Sequence, residues 1–217
     1  QRQRVYMKIF FGGSFDPVHN GHLALALQIA REFQHPVSFM PLNGNPNYKA
    51  PPQASLNDRL AMLEQLIADY PEQLAIDRHE AQLAEYTPTF YSLTRLRKIY
   101  GDAEPFYFVI GSDSLVNLSI WDCWQQLFGL TNFIVARRPD YPLEMMNAEL
   151  AAAVLPRIAT FEGLPIASGK IYFSDFVPME ISSTLIRQRI KAAQSIDDLV
   201  NCKVSNYIYN HNLYQGN

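Results

Sequence analysis

Apolar and polar positions along this chain switch repeatedly between a short extended period and a helical one. Compact runs rich in β-branched and aromatic residues predict strands at 7–11, 37–41, 74–77, 106–110, 132–136 and 171–174. Between them, helical spacing predicts helices at about 21–33, 56–69, 89–100, 112–128 and 143–154, then 183–193 and a last one near 204–210. Strand and helix alternate from end to end, which predicts an α/β protein with a mostly parallel sheet covered on both faces.

Punctuation sharpens several of these boundaries. Ser55, with Asp58 three residues on, resembles a capping box opening the helix that carries Leu56, Leu60, Leu63 and Ile67. Gly101 sits where a cap would stop the helix bearing Leu93, Leu96 and Ile99. The stretch 41–52 holds four of the chain's 14 prolines together with Asn43, Asn45 and Asn47, which predicts an irregular loop. With no repeat and no linker in sight, residues 7–217 read as one domain whose part from 180 onward is a small helical extension. Residues 1–6 read as an N-terminal extension or processed start.

Composition mainly excludes. The 217 residues are 48% hydrophobic and 18% charged, which is a folding composition rather than a disordered one. The longest apolar stretch, 23–30, is interrupted by Gln28 and falls far short of the roughly 20 residues a membrane span needs, and no secretory leader is read. Residues 1–110 carry 10 basic and 11 acidic groups and residues 111–217 carry 8 and 10, so neither half has the excess of positive charge of a nucleic-acid binder. Cys123 and Cys202 lack metal or disulfide spacing, which suits a cytoplasmic location.

Candidate chemistry concentrates in the first βα turn, where an apolar strand runs into Gly12, Gly13, Ser14 and Phe15 and then Asp16, Pro17, His19, Gly21 and His22. Glycines at a strand's carboxyl end let backbone amides approach a ligand, and the following helix N-terminus favours phosphate. The spacing fits neither a dinucleotide fingerprint nor a P-loop, and no Lys is available. His19 and His22, three apart, can address one phosphate; capping or core histidines are the plain alternative. Near the other end, Ser182, Ser183, Thr184 and Arg187 open a helix whose first turn can gather hydroxyls, amides and a guanidinium on one face, although a capped amphipathic helix with an exposed Arg would look the same.

Both segments resemble the signatures of the HIGH-type nucleotidyltransferases, and most of the chain from Met7 onward is similar to the bacterial nicotinate mononucleotide adenylyltransferase family. Matching stretches are Tyr86-Thr87, Gly111-Ser112-Asp113-Ser114-Leu115, Ile120-Trp121, 136–142, 169–172 and the tail with Tyr207-Ile208 and Leu213-Tyr214. The resemblance implies a Rossmann-like doubly wound fold and transfer of AMP from ATP to nicotinate mononucleotide, giving deamido-NAD and pyrophosphate, with Mg²⁺ held mainly by substrate phosphates and water and no protein metal site. It implies catalytic roles for His19, His22 and Arg187. Gly12, Gly13, Ser14, Phe15, Gly21, Gly111, Asp113, Ser182, Ser183 and Thr184 would bind ATP; Asp16, Lys49, Thr87, Trp121, Arg137 and Arg138 would serve the mononucleotide, with one of the two arginines on its phosphate. Asp16 also reads as an organiser of the turn. The chain departs from the family pattern in its 43–52 loop, which lacks a His, and at Asp122, where relatives often carry Tyr. Rival readings are a phosphopantetheine adenylyltransferase, a cytidylyltransferase, an aminoacyl-tRNA synthetase fragment or a non-catalytic nucleotide sensor. Oligomeric state is not legible.

Overall fold

The computed structural model describes residues 6–45 and 49–216; the proposed extension up to residue 5, and Tyr48 in the proline-rich loop, lie outside the described residues. Six strands, β1 (Lys8–Gly13), β2 (Val37–Pro41), β3 (Leu74–Ile76), β4 (Phe106–Gly111), β5 (Asn132–Ala136) and β6 (Ile171–Phe173), form one sheet in the order β3-β2-β1-β4-β5-β6. Every pairing is parallel. Strand order reverses between β1 and β4, and in such sheets the crevice beyond the carboxyl ends at the reversal is where ligands bind. Gly12 and Gly13 end β1 there and Gly111 ends β4.

Alternation along each strand divides the core in two. Ile9, Phe11, Phe39, Tyr107, Val109 and Ile134 face α1 (Asn20–Phe33), α2 (Leu56–Ile67) and the C-terminal helices. Phe10, Met40, Phe106, Phe108, Phe133 and Val135 face α3 (Thr89–Tyr100), α4 (Ser112–Val116) and α5 (Ala148–Val154). Two further helices, α6 (Ser183–Lys191) and α7 (Cys202–Asn210), lie on the first face, where Ile186, Ile190, Val204 and Ile208 are buried. Among the described residues no helix is long and apolar enough to cross a membrane.

Three expectations from sequence are corrected. The helix expected at 112–128 is broken into α4 and two short 3₁₀ turns, Leu118–Ile120 and Trp124–Gly129, because Trp121 is extended and Cys123 is left-handed at φ 53°. The helix expected at 143–154 splits likewise, with Asn147 capping α5 through the Leu150 amide. In α2 and α3 the buried face is rotated from the aliphatic one read from sequence. Arg59, Met62, Leu63 and Leu66 are buried in α2, and Arg97 takes the inward position in α3 while Ile99 is exposed. Both arginines end on carbonyl oxygens: Arg97 donates to those of Gly101, Glu104, Leu130 and Ala167, and its guanidinium lies 3.8 Å from the centre of the Phe106 ring.

Candidate active site

His19 and His22 are brought face to face by the way α1 begins. His19 is the N-cap residue, its backbone extended, and its Nδ1 accepts the amides of Gly21 at 3.0 Å and His22 at 3.4 Å. His22 Nδ1 accepts the His19 amide at 3.1 Å, so the two imidazoles form a reciprocal capping box, with rings stacked 3.7 Å apart. A side chain at residue 21 would meet the His19 ring at 2.8 Å, which is why glycine stands between them. An accepting Nδ1 leaves the proton on Nε2, so each neutral ring offers one N–H from the edge away from the helix amides. Burial, then the Arg138 charge, lowers the His19 imidazole to about 4. Burial, with smaller contributions from His19 and Arg138, holds His22 well below the ordinary histidine range. Phe15, in left-handed backbone at φ 48°, packs its ring against His22 and Phe39.

The second phosphate-type element docks directly on this turn. Ser182 caps α6 by accepting the Leu185 amide, which frees Ser183 to donate to the Pro17 carbonyl at 2.9 Å. Arg187 donates to the Asp16 carbonyl at 2.8 Å and to Thr184 Oγ1 at 3.3 Å. Its Nε is buried and has no acceptor among the described residues. Asp16, read with the mononucleotide-binding residues, has its carboxylate engaged inside the protein: Oδ2 accepts the Gln53 amide, and Oδ1 accepts the Ala54 amide and the Tyr214 hydroxyl. It ties the turn to the end of the proline-rich loop and to the C-terminal segment.

At the end of β4, Asp113 Oδ1 meets Arg138 Nε at 3.2 Å, and the buried Ser112 hydroxyl accepts the Arg138 amide at 2.7 Å. A side chain at Gly111 would lie 2.2 Å from Asp113 Oδ1 and 3.0 Å from Arg138 Nε, so glycine is required for this pair to form over the strand end. Neutral Nε2–H donors, a hydroxyl-capped helix start and two arginines thus surround one end of the sheet. Such a set can bind a polyphosphate and stabilise charge on its oxygens without a proton-transfer group.

Comparison with known proteins identifies the fold that carries these features. The cytidylyltransferase-like family matches residues 10–189. The probable nicotinate-nucleotide adenylyltransferase of Cronobacter sakazakii is 37% identical over 212 residues, covering 96% of both chains. The nicotinate-nucleotide adenylyltransferase of Salmonella typhimurium is also 37% identical, over 96% of this chain and 99% of that protein. The chain belongs to the nicotinate-nucleotide adenylyltransferase family. In three dimensions it is similar to Plasmodium falciparum nicotinic acid mononucleotide adenylyltransferase complexed with NaAD, with a TM-score of 0.72, 21% identity, and 98% and 99% of the two chains covered.

Trp121, Asp122, Thr87, Arg137, Arg138 and Lys49 sit on irregular backbone. Trp121 is half-buried against the second core cluster, between the two 3₁₀ turns, with its amide on the Leu118 carbonyl. Asp122 beside it is exposed. Thr87 is half-buried just before α3, and its carbonyl accepts the Ser92 hydroxyl, which also donates to the buried Glu80. The two adjacent arginines part company: Arg138 joins Asp113 and acts electrostatically on both histidines, whereas the Arg137 guanidinium lies 4.2 Å from the centre of the Phe173 ring on β6. Lys49 is exposed at the edge of the described part of its loop.

Two residues that brace this turn have roles no motif announces. Arg59 is 2% exposed and donates to the carbonyls of Ser14, Leu42 and Ala54, gripping the glycine turn and both ends of the proline-rich loop. Its only sequence signal is a cation one turn from Met62 and Leu63 on the apolar face of α2. Tyr214 is signalled by the Leu213-Tyr214 pair, but nothing in sequence aims its hydroxyl at Asp16.

Proposed function

We propose that this chain transfers AMP from ATP to nicotinate mononucleotide, releasing pyrophosphate and deamido-NAD, by direct in-line attack of the mononucleotide phosphate on the α-phosphorus. What carries this reading is the His19–His22 capping box at the sheet's switch point with Arg187 docked against it, in a chain of this family. The acceptor phosphate is already an anionic nucleophile, so positioning and charge stabilisation supply the rate rather than a base. The two Nε2–H groups would contact the α- and β-phosphates, and Ser183, Thr184 and Arg187 the departing pyrophosphate. Gly12, Gly13, Ser14 and Phe15 would shape the backbone under the triphosphate, and Asp113 would accept from the ribose. Arg138 is favoured over Arg137 for the acceptor phosphate because it lies within electrostatic reach of the histidines. Trp121 would stack on the pyridine ring and Thr87 hold its carboxylate. Magnesium would arrive with ATP: the Asp16 carboxylate is engaged by protein donors and Asp113 is paired with Arg138.

The test is pyrophosphate release from ATP and Mg²⁺ with nicotinate mononucleotide, nicotinamide mononucleotide and phosphopantetheine offered separately. Release with nicotinate mononucleotide is expected; none with either pyridine mononucleotide would overturn the assignment.

A further inference from the structure

The Asp16 carboxylate is buried in the first βα turn, and Arg187 of α6 stands beside it without closing on it. Arg187 Nη1 lies 3.9 Å from Asp16 Oδ2, at the outer limit of an ion pair, although the same nitrogen is 2.8 Å from the Asp16 carbonyl. A guanidinium next to a carboxylate ordinarily closes into a bidentate fork. Three neutral donors occupy the carboxylate instead: the Gln53 amide at 2.8 Å, the Ala54 amide at 3.0 Å and the Tyr214 hydroxyl at 2.8 Å. Oδ1, carrying two of them, has both of its acceptor positions filled, whereas Oδ2 carries one, so a fork that needs a position on each oxygen cannot form. Arg187 is left with a buried Nε lacking an acceptor among the described residues, a cation held next to an anion that offers it one oxygen and not two.

Tyr214 supplies the donor that can be removed without touching the backbone. Its ring is buried and its backbone left-handed at φ 63°, a conformation a bulky residue keeps only where the surroundings enforce it. Burial, then the Asp16 charge, pushes its hydroxyl far above the ordinary tyrosine range, so it remains a donor at any working pH. The charges of Arg187 and Arg59 oppose that shift more weakly.

We propose that Tyr214 is a positioning residue that fills Asp16 Oδ1, denies Arg187 the second oxygen of a carboxylate fork, and so keeps the guanidinium available to the pyrophosphate portion of the nucleotide. Without the hydroxyl, Oδ1 has a vacant buried lone pair, and Arg187 closes onto the carboxylate. Its role rests on Arg187 holding pyrophosphate in the reaction above; the identity of the acceptor does not enter.

The decisive variant is Tyr214→Phe, which keeps the ring. Magnesium pyrophosphate binding, measured by calorimetry, is expected to weaken about tenfold, in keeping with loss of one charge-assisted contact, while the KM for nicotinate mononucleotide stays within about twofold. With Asp16→Asn there is no carboxylate to capture Arg187, so Tyr214→Phe/Asp16→Asn should bind pyrophosphate no more weakly than Asp16→Asn alone. Pyrophosphate affinity within twofold of wild type in Tyr214→Phe would overturn the role, as would equal losses for pyrophosphate and the mononucleotide or multiplying losses in the double variant. If wild type released no pyrophosphate with any acceptor, the transfer reading would fall, while the calorimetry would still decide the part played by Tyr214.

Discussion

The phosphate side and the acceptor side of this crevice are built by different means. On the phosphate side, His19 and His22 lie within the first turn of α1, Arg187 lies within α6, and each is fixed by hydrogen bonds to backbone or to a buried partner. On the acceptor side, Thr87, Trp121, Asp122 and Arg138 lie on loops outside any helix or strand, and Arg138 and Asp122 are exposed. On the proposed reading the rigid side organises the transition state, while the looser side admits the second substrate and sets its identity. Substitutions on the first should therefore fall on turnover, and on the second on the acceptor's KM.

The largest break in this contrast is His22→Ala. It removes the acceptor for the His19 amide and, on the proposed reading, an Nε2–H donor to developing phosphate charge. Turnover is expected to fall by about 10²–10³-fold, the usual consequence of deleting one preorganised donor. A stopped assay of pyrophosphate release checks this, and circular dichroism confirms the fold. Loss confined to KM would show that this side binds rather than organises.

Next comes the pH response of stability, which separates a neutral cap from a charged one. His19 is held to about 4 in the folded chain against an ordinary 6.5. Between those values the unfolded chain takes up a proton that the folded one refuses, so stability is lost as pH falls from 6.5 toward 4 and is fully present above 6.5. A shift of that size corresponds to roughly 3 kcal/mol. His19→Asn retains a good N-cap without a titrating ring. The difference in unfolding free energy between wild type and His19→Asn, from urea titrations, should move against wild type across that window. A constant difference from pH 7 to 4 would mean that the imidazole accepts its proton without cost in the fold.

How much could be read without coordinates follows the same divide. All six strands, the glycine turn and the capped start of α6 are legible because they rest on local rules: short apolar runs, paired glycines, a hydroxyl cap. Arg59 and Arg97 mislead because a helical pattern assigns the inward face to aliphatic residues, and only the carbonyl clusters they meet, supplied by segments as distant as Ser14 and Ala167, make an inward guanidinium favourable. The break at Trp121 is hidden for a related reason. Its stretch has helical apolar spacing, and it is packing of the Trp124–Gly129 turn on α3, and of both 3₁₀ turns on the second core cluster, that overrides it. The Tyr214–Asp16 contact spans nearly the whole chain, beyond any local signal.

On the acceptor side, Trp121→Ala should raise the KM for nicotinate mononucleotide about tenfold, the scale of one lost ring-stacking contact, while the KM for ATP changes by no more than about twofold. Initial-rate measurements with each substrate varied in turn separate the two. Equal effects on both constants would mean that Trp121 serves the second core cluster, against which it is half-buried, and not the pyridine ring.

The smallest effect sharpens the contrast most, because it concerns choice rather than rate. Asp122 places an exposed carboxylate beside Trp121, where a carboxylate-bearing ring would feel it and an amide-bearing ring would not. Solvent screens such a repulsion to less than about 1 kcal/mol, so the change is one of preference by a few-fold. Asp122→Asn should raise the kcat/KM ratio of nicotinate over nicotinamide mononucleotide by roughly two- to fivefold, and the gain should shrink as salt is added. The two acceptors competing in one mixture, with products separated by chromatography at low and high ionic strength, give that ratio directly. A ratio indifferent to both the substitution and the salt would mean that the Asp122 charge does not reach the ring, and that selectivity on this side lies in Thr87 and the backbone around Trp121.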